Sequence, residues 1–259
     1  MRKTALVTGA SSGIGLELAR IFAERGNDLV LVARNNKKLV EIADDLRSRY
    51  QIKAYAVSLN LNDRDAPLQL CEEVNRKGLT VHYLINNAGS GCFGQFLETP
   101  WDKEEAMLSL NVYALTRLTK LFLPGMVKRG EGRILNVSAT AAFQPGPLMS
   151  VYYATKAYVL SFSEAIANEL KGTGVTVTIL CPGPTLSGFQ KAAVMEDSRL
   201  VRDKKLPTAE AVARYGYDAM ILGKTVAIHG GKNWILANAS RVLPRRLVTA
   251  IVRRLSEVA

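Results

Sequence analysis

Tyr152 and Lys156 stand four residues apart in "VYYATKAYV", a spacing that puts both side chains on one face of a helix. A free phenol has a pKa of about 10, too high to exchange protons efficiently near neutrality. A neighbouring ammonium stabilises the phenolate, which suits the phenol to general acid–base work. Tyr153 and Tyr158 have no lysine four residues on, so packing is the simpler expectation for them. Just upstream, "NVSATAAF" offers two hydroxyls, Ser138 and Thr140, with Ala139 between them.

A second candidate lies near the start, where "TGASSGIG" places Gly9, Gly13 and Gly15 among Ser11, Ser12 and Ile14. Glycines here let the chain turn tightly and approach a pyrophosphate, which a helix N-terminus favours electrostatically. The spacing is G-x-x-x-G-x-G, not the more common G-x-G-x-x-G. Three glycines in a turn can be purely structural; what strengthens the reading is a strand before them and a helix after.

Those elements are legible from periodicity. "TALVT" is strand-like and "LELARIFAERG" repeats its apolar residues at helical spacing. "DLVLVAR", "KAYAVSL", "VHYLINNAG", "GRILNVSA", "GVTVTILCPGP" and "TVAIHG" read as further strands, with helical patterns between them. Strands alternating with helices imply a parallel sheet covered on both faces. The expected fold class is α/β: a single-domain, Rossmann-type, doubly wound sheet over residues 1–259. A loop without clear period at about 184–207 is expected to bind substrate. A basic helix is expected at about 242–257.

Composition narrows the partners. The formal charge is +11 and 48% of residues are hydrophobic, enough for a sizeable core. No helix-turn-helix, zinc-finger or aromatic RNA-binding motif accompanies the charge, so nucleic acid is not expected. The three cysteines lack metal-ligand spacing, and no metal is expected. No apolar run approaches the ~20 residues that span a bilayer, and the first residues are too polar for a signal peptide, so a cytoplasmic location is expected. His82 and His229 have no acid or nucleophile at suggestive spacing and read as structural.

The glycine loop, "NNAG" at 86–89 and Tyr152-x-x-x-Lys156, in that order, resemble the short-chain dehydrogenase/reductase family across nearly the whole chain. The resemblance implies a nicotinamide dinucleotide cofactor, with Asn60 and Leu61 flanking the adenine and Asn87, Ala88 and Gly89 on the adenosine and ribose side. It places Pro182 and Gly183 near the nicotinamide, and Lys156 on the nicotinamide ribose. Asn111 matches a helix asparagine that supports a proton relay behind the lysine. Asn60 stands where the family usually has Asp. At the end of the second strand, where NAD-binding members carry an acid, this chain has Ala33 and Arg34, with Lys37 and Lys38 behind. A guanidinium can clamp a 2′-phosphate that an acid would repel, so NADP(H) is expected.

The resemblance also exposes a gap. The family's carbonyl-binding serine stands thirteen residues before the tyrosine, and counting back from Tyr152 lands on Ala139. Ser138 reaches the site through a bulge, or Thr140 substitutes, or the group is absent, by nature or by an introduced change. Ser138 is the provisional stand-in.

The leading expectation is an NADP(H)-dependent carbonyl reductase or alcohol dehydrogenase acting on a hydrophobic small molecule. Phe93, Phe96, Phe143 and Met149 would line its pocket. Two rivals remain: a cofactor-binding protein with little turnover because of Ala139, and a hydrolase using a serine with the Tyr–Lys pair as base. Family members commonly pair through long helices, which here would be those around 101–128 and 151–171, giving a homodimer or homotetramer. The basic tail is expected to pack on its own domain or a neighbouring subunit in preference to an anionic membrane surface.

Overall fold

The computed structural model describes residues 2–193, 195, 198, 201 and 205–257. Seven strands form one parallel sheet: β1 (Thr4–Thr8), β2 (Asp28–Ala33), β3 (Ala54–Ser58), β4 (Val81–Asn86), β5 (Gly132–Val137), β6 (Val175–Cys181) and β7 (Val226–Ile228). Their order is β3-β2-β1-β4-β5-β6-β7. The chain reverses its winding between β1 and β4, and a doubly wound sheet opens a ligand crevice at the carboxyl ends of the strands flanking that point.

Side-chain alternation gives the sheet two buried faces. Ala5, Val7, Leu29 and Leu31 point to one, where Leu18 and Phe22 of α1 (Gly13–Glu24), Leu39 and Leu46 of α2 (Asn36–Tyr50) and Val212 of α8 (Ala209–Ile221) pack. Leu6, Val30 and Val32 point to the other, against Leu70 of α3 (Ala66–Arg76) and Leu118, Phe122 and Met126 of α5 (Leu115–Arg129). The near-continuous apolar runs of the strands follow from this double burial. Asn35 starts α2 by accepting a hydrogen bond from Lys38 N at 3.1 Å, and Thr208 starts α8 by accepting one from Ala211 N at 3.2 Å.

Three features depart from expectation. The helical region expected over 101–128 is α4 (Trp101–Leu108) and α5 joined by a wider π-helical turn, Ser109–Ala114. A short helix, α7 (Phe189–Ala192), lies inside the expected loop 184–207, part of which falls outside the described residues. After β7 the chain forms α9 (Gly231–Val242), absent from the expectation, and α10 (Arg245–Ser256), which begins after Pro244. Among the described residues, no helix is long and apolar enough to cross a membrane.

Candidate active site

The crevice at the ends of β1 and β4 is built around one hydroxyl. Thr8 Oγ1 donates to Ile85 O at 3.2 Å and accepts from Asn87 N and Ala88 N, each at 3.0 Å. Asn87 returns the contact, its amide donating to Thr8 O at 2.9 Å and Gly9 O at 3.4 Å. The loop and "NNAG" are therefore one unit, and the Asn87 amide holds the loop in shape. Gly9 has φ +67°, and a Cβ there would lie 2.7 Å from Asn87 Nδ2. A Cβ at Gly15 would overlap both Asn87 Nδ2 and Gly9 O. Only glycine closes this turn.

Beyond the turn, α1 begins at Gly13. Ser12 makes no side-chain cap, and the first turn carries no acidic residue. The backbone N–H groups of Gly13, Ile14 and Gly15, with Ser11 and Ser12 before them, thus meet what a pyrophosphate requires. Arg34 follows β2 and is exposed; among the described residues its guanidinium forms no ion pair, while its carbonyl accepts from Ser58 Oγ at 3.0 Å. Asn60 is exposed and bonds locally to Asp63 and Asn62, and Leu61 is buried beside Thr8 and Ala88. These positions are compatible with a dinucleotide, and the Arg34 side chain is exposed at the end of β2.

Tyr152 and Lys156 lie on α6 (Ser150–Glu169), beside the ends of β5 and β6. Lys156 is buried and donates to Val137 O at 3.0 Å; its Nζ lies 5.7 Å from the centre of the Tyr152 ring. Burial pulls the lysine down to about 8 from its ordinary 10.5. Burial pushes the Tyr152 phenol above its ordinary value, aided by the nearby Tyr153. Desolvation sets the direction for the phenol, and the Lys156 ammonium, engaged with Val137 O, does not lower it in this arrangement.

Asn111 sits in the π-helical turn, which re-aims its side chain toward α6. Its amide donates to Ser90 O at 2.9 Å and Thr155 Oγ1 at 3.0 Å, and its oxygen accepts from Ser90 N at 3.0 Å. Thr155 in turn donates to Tyr152 O at 2.7 Å. Asn111 thereby ties the segment after Gly89 to the helix carrying Tyr152 and Lys156.

The two residues at the end of β5 part company. Ser138 is buried and its hydroxyl donates to Lys156 O at 2.8 Å. Its proton is spent on α6, so the expected stand-in has none to offer a carbonyl. Ala139 instead packs with Met149, Tyr153 and Tyr152 on the pocket side. Thr140 opens a single 3-10 turn, Thr140–Phe143, and its N–H donates to Pro182 O at 2.8 Å. Gly183 O accepts from Thr185 Oγ1 at 2.9 Å, closing the turn after β6.

Over the phenol lies Phe189 of α7, ring centres 5.3 Å apart. Phe93 and Met149 join the same apolar cluster, as expected, whereas Phe96 is largely exposed and Phe143 packs in another cluster with Leu160 and Cys181. His82 accepts from Thr4 N at 3.1 Å through Nδ1. His229 stacks edge-on against Tyr215 beside a cavity of about 430 Å³ that Lys205, Lys232 and Asn233 also line. Spacing alone did not single out Thr8 or Phe189. A threonine ending the strand before a glycine loop is the one signal that could have found the first.

A parallel sheet reversing at β1/β4, a glycine turn at that point and a Tyr–Lys pair at the ends of β5 and β6 form the arrangement of a dinucleotide-binding fold with its ligand crevice at the switch point. The profile of the short chain dehydrogenase family matches residues 3–197. A very-long-chain 3-oxoacyl-CoA reductase of Rattus norvegicus is 33% identical over 183 residues, 69% of this chain. The match spans 58% of that relative's length. A short-chain dehydrogenase from Sphingobium yanoikuyae, solved with NADPH, superposes with a TM-score of 0.82 at 31% identity, covering 92% of this chain and 93% of that one. One from Burkholderia phymatum, solved with NAD, gives 0.82 at 25% identity, covering 100% and 98%. The chain belongs to the short-chain dehydrogenase/reductase family.

Proposed function

We propose that the protein is an NADP(H)-dependent reductase of hydrophobic carbonyl compounds. The observation that carries this is Tyr152, partly buried on the face it shares with Lys156 and roofed by Phe189 in an apolar cluster. The bound nicotinamide would supply the hydride. Gly9, Ser11, Ser12, Gly13, Ile14 and Gly15 would hold the pyrophosphate, Arg34 the 2′-phosphate, Asn60 and Leu61 the adenine side, and Ala88, Gly89, Pro182 and Gly183 the remainder.

Tyr152 Oη donates its proton to the substrate oxygen. At neutral pH the phenol holds its proton, as a donor to the substrate oxygen must. Lys156, its Nζ 5.7 Å from the centre of the Tyr152 ring and its pKa pulled down to about 8, would supply positive charge beside the phenol. Asn111 and Thr155 fix the backbone on which both sit. Half-exposed Leu108, Tyr113 and Tyr158 along the long helices support a homo-oligomer. NADPH oxidation with a panel of aliphatic and aromatic ketones tests the reading; NADPH binding with no turnover on any of them counts against it.

Ala139 supports a second reading, a cofactor-binding protein with little turnover. The substrate oxygen would lack one preorganised donor, an absence that costs about 10²–10³ in rate where it has been created deliberately. Ala139→Ser separates the two: a large gain identifies a reductase short of one donor, and no gain with a silent panel favours the binding protein. Nothing favours the hydrolase reading, because the Ser138 hydroxyl is committed to Lys156 O.

A further inference from the structure

The last 27 residues described, 231–257, carry six Lys and Arg against a single acid, Glu257. Glu257 pairs with Arg253 at 3.3 Å, and among the described residues Arg245, Arg246 and Arg254 form no ion pair. Helix α10 uses one stripe, Val248, Val252 and Ser256, to pack against its own domain. The expected docking of the tail on its own domain accounts for that stripe alone. The adjoining stripe, Leu247, Ile251 and Leu255, faces outward and is 42–48% exposed. On α9, Trp234, Ile235 and Leu236 are each more than half exposed, and Val242, at the end of that helix, is 84% exposed. A water-facing helix surface is ordinarily polar, so these exposed apolar side chains in an arginine-rich segment call for an occupant.

We propose that the α9–α10 segment docks on an anionic lipid surface. Charge decides among the occupants. A second copy would bring the same excess of positive charge to the contact, within a chain of net charge +11, and like-charged faces repel. A nucleic acid would satisfy the arginines and leave Trp234, Ile235, Leu247 and Ile251 in water. An anionic bilayer satisfies both, with apolar side chains entering the headgroup boundary and long arginines reaching the phosphates. The buried stripe of α10 packs in the same cluster as Met149, Tyr153 and Ala139. Docking would therefore hold the apolar side of the active site close to lipid, a consequence that rests on the reductase reading.

The test is co-sedimentation of the full chain with vesicles of phosphatidylcholine alone and of phosphatidylcholine mixed with phosphatidylglycerol. The protein is expected to bind the anionic vesicles, to ignore the neutral ones and to dissociate at about 0.5 M salt. In the Trp101→Phe background, Trp234 fluorescence should shift to the blue on adding anionic vesicles. The triple variant Arg245→Glu/Arg246→Glu/Arg254→Glu should bind about a hundredfold more weakly. Leu247→Asp/Ile251→Asp should release the protein as well, with its melting temperature and NADPH affinity kept. Equal binding to both vesicles, or to neither, overturns the proposal. So does binding that needs the arginines and not Leu247 or Ile251, which marks a polyanion site, or a Leu247→Asp/Ile251→Asp variant that turns a dimer into monomers without affecting vesicles. Failure of NADPH turnover would sink the reductase reading and leave the vesicle result untouched.

Discussion

The two ends of the crevice are built to different standards. At the β1–β4 end, Thr8, Asn87, Gly9 and Gly15 interlock so tightly that an added Cβ at either glycine collides with its neighbours. At the β5–β6 end the scaffold is equally bonded, through Asn111, Thr155 and Ser138, yet the position where the family resemblance puts a hydroxyl is Ala139, packed with Met149 and Tyr153. A cofactor site is mostly backbone, so it is protected by shape. A catalytic donor is one side chain, so its loss leaves the fold intact. The difference predicts that single residues separate binding from turnover in this protein.

Removing the phenol should separate them most sharply. Tyr152→Phe is expected to cut ketone reduction by about 10²–10⁴ while NADPH binding, followed by fluorescence, stays as it was. If NADPH affinity fell with it, the two ends would be one unit and the comparison would break.

Ala139→Ser runs the same experiment in reverse. It should raise turnover by about 10²–10³ at unchanged NADPH affinity, read from steady-state rates on the best ketone of the panel. An unchanged rate would mean that another group already binds the substrate oxygen.

Lys156 links site to stability. Its pKa of about 8 in the folded chain lies below the ordinary 10.5, because burial disfavours the ammonium. Below pH 8 both states hold the proton and the folded state bears the cost of burying charge. Between 8 and 10.5 the unfolded chain binds the proton that the folded chain has released, so this residue's contribution makes stability rise with pH, by about 3 kcal/mol in all. The buried Cys181 thiol, raised to about 12, acts oppositely from pH 9 upward, since the unfolded chain ionises first. Denaturation of the parent and of Lys156→Met across pH 7–11 isolates the lysine: the variant should lack the rise.

Arg34→Asp addresses the cofactor end. Loss of a charge-assisted clamp and gain of a repulsive carboxylate should lower NADPH affinity at least about tenfold and move preference toward NADH. Unchanged preference would show that the exposed guanidinium does not read the 2′-phosphate.

Much of this was legible in the sequence, for physical reasons that also mark where legibility stops. Doubly buried strands announce themselves as apolar runs, and Tyr152 and Lys156 share a face because helical spacing requires it. Just past β5 the sequence left open whether Ser138, Thr140 or neither met the pocket. The π-helical turn at Asn111 leaves the apolar pattern of its helices undisturbed, so nothing in the spacing betrays it. Thr8 meets Asn87 across 79 positions and Phe189 meets Tyr152 across 37, contacts that exist only after the sheet has formed. Helix α9 escaped because its exposed Trp234, Ile235 and Leu236 blur any single apolar face.

Ser138 gives the smallest effect and the finest test. Ser138→Ala removes one buried hydrogen bond to Lys156 O and should cost about 1 kcal/mol of stability, measured by urea denaturation. Turnover should stay within about twofold of the parent, because the hydroxyl faces α6 while its neighbour lines the pocket. The same change made in the Ala139→Ser background should cost the same stability and keep the rate that the introduced hydroxyl confers. Two adjacent hydroxyls would then report separately on scaffold and chemistry. A large loss of rate from Ser138→Ala alone would instead place that hydroxyl on the substrate and erase the contrast between the two ends of the crevice.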